Sequence, residues 1–520
     1  MKILTVAEMR AAESAADSAG NGYAEMMERA GRGAAEALLA RLEDPGAHKI
    51  VVLAGSGNNG GDGLVCAHYL SNAGASVAVY LTRQPDEADP KVQRLRTKAM
   101  LVADAERDGD GRVLARLLGS ATVVVDALVG TGARLPLAGG PAAVLDAMQE
   151  QLAVGGERPF VMAIDCPSGL ECDNGACDAR LTPADLTVTF AAPKRGFFGF
   201  PANDRLGELV VVDIGLDPYL PVAAPEVMDA ERAAALLPER PRQAHKGTFG
   251  RALVIAGSRA YVGAAALAAE AAYRAGTGLV EVAPPESLWA VLAPQIPEAI
   301  WLPLDERDGG LAPGAAEQVS DALDKASAVL FGPGLGQAGT TQAFVARLLS
   351  KLAGRPGLVG RVLVDADGLR HLARVADWAE RLSPGAVLTP HPGEFRALTG
   401  RSASEIQSDR IGSAQRQAQL WGHVVLLKGA FTVIAAPDGR TTVLPFAEPA
   451  LARAGTGDVL SGLITGLLAQ GLTGYDAACA AGWLHGRAAQ LAANHLGTAA
   501  SVLARDVLAA VPEALSEVKR

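Results

Sequence analysis

The chain has few cysteines, and they do not form a framework. Cys66, Cys166, Cys172, Cys177 and Cys479 are odd in number and show no paired pattern of disulfide spacing. Cys166, Cys172 and Cys177 lie close together, but a structural zinc site wants C-x₂₋₄-C pairs and further ligands. Free thiols in a cytoplasmic protein are the expectation. Aromatic residues make up only 4% of the sequence, which argues against an all-β sandwich. Dense Lys/Arg clusters are missing, and the net charge is −10, so a nucleic-acid partner is not expected. Long apolar runs are missing too. The longest late uncharged run, 459–475, carries glycines and Ser461, Thr465 and Gln470, and falls short of the ~20 apolar residues of a spanning helix. It reads as a buried helix, and no membrane association is expected. A signal peptide is not expected either: Thr5 and Glu8 have the spacing of a helix capping box, and Glu8, Arg10 and Glu13 break any apolar stretch. A G-x-x-x-x-G-K-[ST] phosphate loop does not occur.

Apolar residues make up 49% of the 520, with 59 glycines. A chain of this length divides into at least two domains. Apolar runs alternate with helix-like stretches throughout. Strands are expected at 50–54, 76–82, 122–126, 160–165, 186–190 and 209–214, and again at 252–256, 279–283, 329–332, 362–365, 386–388, 424–427 and 432–435. Continuous Val/Ile/Leu runs of this kind suit parallel strands buried on both faces. The βα repetition therefore occurs twice. Between Leu216 and Arg242 stand Pro218, Pro221, Pro225, Pro238 and Pro241, which disfavour regular structure apart from one short helix at 226–237. The boundary falls there, giving domains 1–222 and 223–520.

In the first half, Gly55-Ser56-Gly57-Asn58-Asn59-Gly60-Gly61-Asp62-Gly63 follows a strand and opens a helix, so backbone can approach a ligand closely and N–H groups can hold a phosphate. A redox dinucleotide site would also want a carboxylate at the end of the second strand; Leu81-Thr82-Arg83 stands there instead, and its arginine could favour a 2′-phosphate. A tight turn without ligand would not need Asn58, Asn59 and Asp62. Two more strand ends carry polar groups: Asp126 leads into Gly130-Thr131-Gly132, and Asp165 into Pro167-Ser168-Gly169. Either aspartate alone could be a helix cap; together with Asn59 they point to one cleft beyond the strand ends.

The N-N-G-G-D-G, V-D-A-L-x-G-T-G and I-D-x-P-S-G segments resemble the NAD(P)H-hydrate epimerase family over about residues 1–215. The resemblance implies a Rossmann-like domain that interconverts the R and S hydrates at nicotinamide C6. It implies substrate contacts at Asn58, Asn59, Gly60, Gly61 and Asp62, at Gly130, Thr131, Gly132, Ala133, Arg134, Leu135 and Pro136, and at Asp165, the candidate acid–base group. It also implies a potassium ion at Asn59, Asp126 and Ser168, oxygen donors that suit a hard cation.

In the second half, Ala454-Gly455-Thr456-Gly457-Asp458 precedes the buried helix. Its N–H groups can face a developing negative charge, and Asp458 can deprotonate a hydroxyl; a plain helix cap is the alternative. Gly257-Ser258, Gly332-Pro333-Gly334-Leu335-Gly336, Asp365-Ala366-Asp367-Gly368, His391-Pro392-Gly393-Glu394 and Lys428-Gly429-Ala430-Phe431-Thr432 each follow a strand. His391 by itself would be an ordinary half-buried histidine. This ordered set resembles the ADP/ATP-dependent NAD(P)H-hydrate dehydratases over about residues 226–510, with a ribokinase-like fold. The resemblance implies that Ala264, Gly334, His391 and Asp458 face the hydrated dinucleotide. Lys428, Gly429, Ala430, Phe431, Thr432 and Gly457 then face the adenine nucleotide, with Asp458 as catalytic base and Mg²⁺ steadying the phosphoryl group. Asp458 is expected to open the helix at Val459 and to be kept ionised by the helix N-terminus. The fold expectation is α/β throughout, a Rossmann-like three-layer domain followed by a ribokinase-like one, in a homo-oligomer. ADP is favoured over ATP, since the fused arrangement resembles bacterial members. A small-molecule kinase in the second half, or a non-catalytic dinucleotide-binding regulator, are the rival readings.

Overall fold

A computed structural model describes residues 1–153 and 157–518. It divides into two units, Met1–Ala224 and Pro225–Arg520. The sequence reading set the division two residues earlier, in the same proline-containing stretch.

The first unit is built on seven strands: β1 (Lys49–Ala54), β2 (Ser76–Leu81), β3 (Leu101–Asp104), β4 (Val123–Ala127), β5 (Phe160–Ile164), β6 (Leu186–Phe190) and β7 (Glu208–Val212). They form one sheet in the order β3-β2-β1-β4-β5-β6-β7, parallel throughout. Along β1, Ile50, Val52 and Ala54 enter one apolar cluster, and Val51 and Leu53 enter another on the opposite face. Period-2 side chains buried on both faces explain why the strand reads as a continuous apolar run. Strand β1 pairs with β2 on one side and β4 on the other. The winding reverses there, which opens a crevice beyond the carboxyl ends. Helix Val6–Ser18 opens with the expected capping box between Thr5 and Glu8.

The second unit contains β8 (Glu226–Val227), β9 (Arg251–Ile255), β10 (Leu279–Val282), β11 (Ile300–Trp301), β12 (Glu306–Arg307), β13 (Gly310–Leu311), β14 (Ala328–Phe331), β15 (Val362–Val364), β16 (Val387–Leu388), β17 (Val424–Leu427), β18 (Val433–Ala435) and β19 (Thr441–Val443). Ten of them make one sheet, β11-β10-β9-β14-β15-β16-β17-β18-β19-β8, and β12 and β13 form a separate pair. Pairing in the large sheet is parallel except where β18 meets β17 and β19. The winding reverses at β9, between β10 and β14.

The single helix expected at 226–237 is instead a two-residue strand, β8, followed by helix Ala230–Leu236 capped by Asp229. The strand forms because Glu226 and Val227 pair with Thr442 and Val443. The apolar run at 459–475 is likewise not one helix. Helix Thr456–Ala469 ends before Gly471, at φ +110°, and helix Gly474–Leu496 follows. Gly462 and Gly466 let the first of these lie against helix Val262–Arg274. A Cβ at Gly462 would stand 2.2 Å from the Ala268 carbonyl oxygen. No helix among the described residues is long and apolar enough to cross a membrane, and all five cysteines are free thiols.

The apolar clusters each lie wholly within one unit. Such units fold alone. Residues 1–224 expressed by themselves are therefore expected to unfold in one cooperative thermal transition followed by circular dichroism. A gradual, non-cooperative melt would contradict independent folding.

Candidate active sites

Beyond Ala54 the chain turns through Gly55–Gly57 and enters helix Asn58–Asn72. The turn has no room for side chains: a Cβ at Gly60 would lie 1.9 Å from the Gly55 carbonyl oxygen, and one at Gly55 1.8 Å from that of Leu128. The loops after β1 and β4 are thus pressed together at the reversal point. A cavity of about 790 Å³ opens there, lined by Asn58, Asn59, Asp62, Gly130, Thr131, Gly132 and Asp165 among the expected residues. Gly60 and Gly61 sit behind it, Gly61 against Met27. Ala133, Arg134, Leu135 and Pro136 are not part of the lining. Gly130, Thr131 and Gly132 thus reach the cavity directly, and Ala133 to Pro136 continue the same loop.

Asp165 follows β5 with a φ of +66°, a left-handed conformation that side-chain-bearing residues seldom adopt outside special sites. Its Oδ1 accepts from Lys194 Nζ at 2.5 Å and from Thr189 Oγ1 at 3.3 Å, and its Oδ2 from the Thr131 N–H at 3.3 Å. Lys194 is fully buried and also donates to Thr189 Oγ1 at 2.6 Å. Two more carboxyls share the cavity. Burial, and then the charges of Asp165 and Glu13, push the Asp62 carboxyl well above the ordinary range. Burial, and then Asp165, push Glu13 up as well, against the opposing pull of Lys194 and Arg10.

Asp126, Ser168 and Asn59 are all buried at the inner end of these loops. Asp126 accepts from Ser168 Oγ at 2.6 Å and from the Ser168 N–H at 2.8 Å. Burial raises its carboxyl above the usual range, and the hydrogen bonds from Ser168 and Leu128 offset this only in part. The side-chain oxygen and nitrogen of Asn59 are buried without a hydrogen-bond partner, a costly state unless a ligand completes it.

In the second unit, backbone bonds stitch the loops beyond the strand ends. The Gly257 N–H donates to the Pro333 carbonyl at 2.9 Å, and the Lys428 N–H to that of Pro390 at 2.9 Å. Gly336 donates to Asp367 Oδ2 at 2.9 Å. Ala264 and Gly334 face each other so closely that a Cβ on Gly334 would stand 2.8 Å from that of Ala264. The centre is a part-buried ion pair on the buried Asp365: Lys428 Nζ lies 2.7 Å from Asp365 Oδ1 and 3.7 Å from Glu394. Ser461 Oγ donates to the other oxygen of Asp365. Gly457 sits over the pair, its Cβ position 3.6 Å from Lys428 Nζ and 3.9 Å from Asp365 Oδ2. Burial by itself would lower the Lys428 ammonium, but Asp365 and Glu394 outweigh it and hold it above the ordinary lysine range. Burial likewise opposes, and Lys428 enforces, the ionised form of Asp365.

Helix Thr456–Ala469 starts with Gly455 as its cap, so Asp458 lies in the first turn rather than ahead of the helix. Its carboxyl is not kept at the ordinary value. Burial, then the neighbouring charge of Asp365, push it up to about 7, and Lys428 counters only part of this. The magnitudes explain the outcome. A helix N-terminus contributes ~0.3–1 kcal/mol, whereas burial commonly moves carboxyls by up to several pKa units of ~1.36 kcal/mol each. His391 caps helix Pro392–Thr399, accepting from the Gly393 and Glu394 N–H groups, with Nε2 3.1 Å from Glu394. Its side chain stays 44% exposed, so it can still meet a ligand. In the 428–432 strap, Thr432 Oγ1 donates to the Gly429 carbonyl at 2.8 Å, and Phe431 takes a φ of +52°. Gly429 and Ala430 complete this turn after β17.

Several residues here were not singled out from sequence. Asp365 heads D-A-D-G, and its place at a strand end was the available signal. Lys194 lies four residues past the end of β6, in A-P-K-R-G, and the charge of K-R in an otherwise apolar segment was the available signal. Glu394 was quoted only as part of its motif. Glu13, one of several charges on a surface helix, and Ser461, inside a buried one, gave no such signal.

Two family models match the chain. Residues 252–513 match NAD(P)H-hydrate dehydratase, and residues 23–196 match the YjeF-related protein N-terminus. A bifunctional NAD(P)H-hydrate repair enzyme from Moorella thermoacetica is 37% identical over 512 residues, covering 95% of this chain and 92% of that protein. Its counterpart from Salinibacter ruber is 39% identical over 519 residues, with 95% and 92% covered. Among solved structures, the ADP/ATP-dependent NAD(P)H-hydrate dehydratase from Bacillus subtilis, co-crystallised with ATP and Mg²⁺, is 34% identical. It covers 56% of this chain and 98% of its own, with a TM-score of 0.48. With both halves matched in order and relatives aligned along nearly its whole length, the chain belongs to the family of bifunctional NAD(P)H-hydrate repair enzymes.

Proposed function

We propose that residues 1–224 interconvert the R and S epimers of hydrated NADH and NADPH, and that residues 225–520 dehydrate the S epimer at the expense of a nucleotide, with ADP preferred to ATP. In the second unit the C6 hydroxyl gives its proton to Asp458 as it takes a phosphoryl group. Phosphate then leaves C6 with the C–O bonding pair, C5 gives up a proton to solvent, and the ring double bond returns. The observation that carries this is the Asp458 carboxyl, poised near 7 beside the half-buried Lys428 and the N–H groups of a helix start. A base works best when its pKa lies near the operating pH, and N–H groups aimed at developing charge stabilise phosphoryl transfer. Lys428 was expected to face the adenine nucleotide. Its pairing with Asp365 makes it a fixed charge, one that places the nucleotide phosphates. Among the described residues no group of three or more acidic, histidine or cysteine side chains could hold a metal. Mg²⁺ therefore fits as a companion of the nucleotide phosphates, bound through few protein groups, where it supplies charge neutralisation.

In the first unit Asp165 is the acid–base group. Asn59, Asp126 and Ser168 fit a potassium ion: the orphaned amide of Asn59 and the under-compensated carboxylate of Asp126 supply hard oxygen donors. Such an ion supplies positive charge that fixes the two loops. The free thiols fit a reducing cytoplasm.

Three outcomes are expected. Dehydration by the wild type rises with pH through about 7 and then levels, because Asp458 must be ionised. Asp458→Asn loses on the order of 10²–10⁴-fold in dehydration at every pH, typical of a lost general base, and keeps epimerisation. A variant within a few-fold of wild type would make Asp458 a helix cap only.

The second outcome concerns stability. The Asp458 carboxyl is raised in the fold, so between about pH 4 and 7 the folded state binds more protons than the unfolded one. Stability then falls as pH rises across that window. Asp458→Asn is expected to raise the melting temperature at pH 8, by roughly 1–4 kcal/mol in stability at ~1.36 kcal/mol per pKa unit, and to change little at pH 4. Equal effects at both pH values would contradict the burial argument.

The third concerns the cation. Asp126→Ala should slow epimerisation by on the order of 10–100-fold or more, the loss typical even of outer-shell changes at metal sites. It should also abolish the response to added potassium chloride against tetramethylammonium chloride. A potassium response equal to wild type would remove Asp126 from the site.

A further inference from the structure

The polar groups so far given a role in the first cavity come from the strand-end loops and the start of helix Asn58–Asn72. Glu13 lines the cavity from elsewhere, helix Val6–Ser18, as does Arg10. We propose that Glu13 is a second catalytic residue of epimerisation, working at the nicotinamide C6 oxygen from the helix wall while Asp165 works from the strand-end wall. The proposal rests on the reading of this unit as the epimerase.

The chemistry calls for two groups. Carbon C6 of the hydrate bears a hydroxyl and the ring nitrogen, so the nitrogen lone pair can expel the hydroxyl once it is protonated. A carboxyl proton passes to the C6 oxygen, the C–O bond breaks, water leaves with the bonding pair, and the ring C=N⁺ bond forms. A water molecule then adds to C6 from the opposite face, forming the new C–O bond and giving up a proton to a carboxylate there. The sum is one proton moved from one carboxyl to the other, with no oxidation or reduction. The return proton comes from solvent or from turnover in the reverse direction. A single carboxylate fixed in one wall cannot serve both faces of a ring held between the walls.

Asp165 is fixed in its wall. Lys194 and Thr189 hold one of its oxygens, and the Thr131 N–H the other. Glu13 is half-buried and approaches from another element. Charged groups acting on it are Asp165, Lys194 and Arg10, with Asp62 on the same cavity. Three carboxyls with one buried lysine cannot all be comfortable as anions, and the upward shift of Glu13 suits the member that carries the proton. Asp62 is buried more deeply, in the second turn of helix Asn58–Asn72, and suits the proton reservoir between them.

The test uses the full chain, with separated R and S hydrates resolved chromatographically over time. Glu13→Gln should lower kcat for epimerisation by on the order of 10²–10⁴-fold with KM nearly unchanged. Glu13→Asp should recover part of the loss, and dehydration of the S epimer should be unaltered. In H₂¹⁸O the wild type should incorporate one ¹⁸O at C6 per inversion. Glu13→Gln within a few-fold of wild type would overturn the proposal. So would loss of activity that Glu13→Asp does not restore while circular dichroism stays native, since that marks a packing role. Inversion without ¹⁸O uptake would overturn the bond-breaking step. A wild-type protein that leaves the epimer ratio at its enzyme-free rate would instead overturn the reading of the unit as an epimerase.

Discussion

A lysine ammonium removed from water must meet a carboxylate, and both sites depend on such a pair. Asp165 stands directly after β5 with Lys194 at 2.5 Å, and Asp365 directly after β15 with Lys428 at 2.7 Å. Leaving either charge buried without its partner is strongly unfavourable, on the order of 3–5 kcal/mol, so each pair fixes two loops relative to one strand end. Everything placed on those loops inherits the constraint. In the first unit it sets Thr131 and the wall of the cavity. In the second it sets the Gly457–Asp458 turn over Lys428 and Asp365.

The same pairs create the electrostatic asymmetry that the chemistry uses. Each lysine compensates one carboxylate and leaves neighbours under-compensated. Burial first, then the charge of Asp365, push Asp458 up to about 7 against Lys428, and burial, then Asp165, raise Glu13 and Asp62 against Lys194. Acid and base roles separate because environments differ, not because residue types do.

Much of this was legible in the chain. Strands buried on both faces, such as β1 and β9, give unbroken apolar runs, and their ends locate the functional loops. The edge strand β3 was missed because Leu101 is 53% exposed there and the strand is short. Strands β8 and β19 were missed because they are brief, and β8 pairs only with a partner far along the chain. Motif order located Asp458, but its ionisation was misjudged, since burial and the charge of Asp365 are tertiary facts invisible to a helix-end argument. Glu13 could not be read at all: its importance comes from which wall of a cavity its helix forms.

Fusing the two activities matters if the dehydratase accepts only one epimer, because the other is then recovered only through the first unit. The most direct measurement supplies a mixture of both epimers, ADP or ATP, and Mg²⁺ to the whole protein and follows reduced-nicotinamide absorbance. The account predicts that absorbance returns for the entire mixture, faster than enzyme-free epimerisation allows. Recovery that stops at the S share, or a stable phosphorylated product with no absorbance gain, would contradict it.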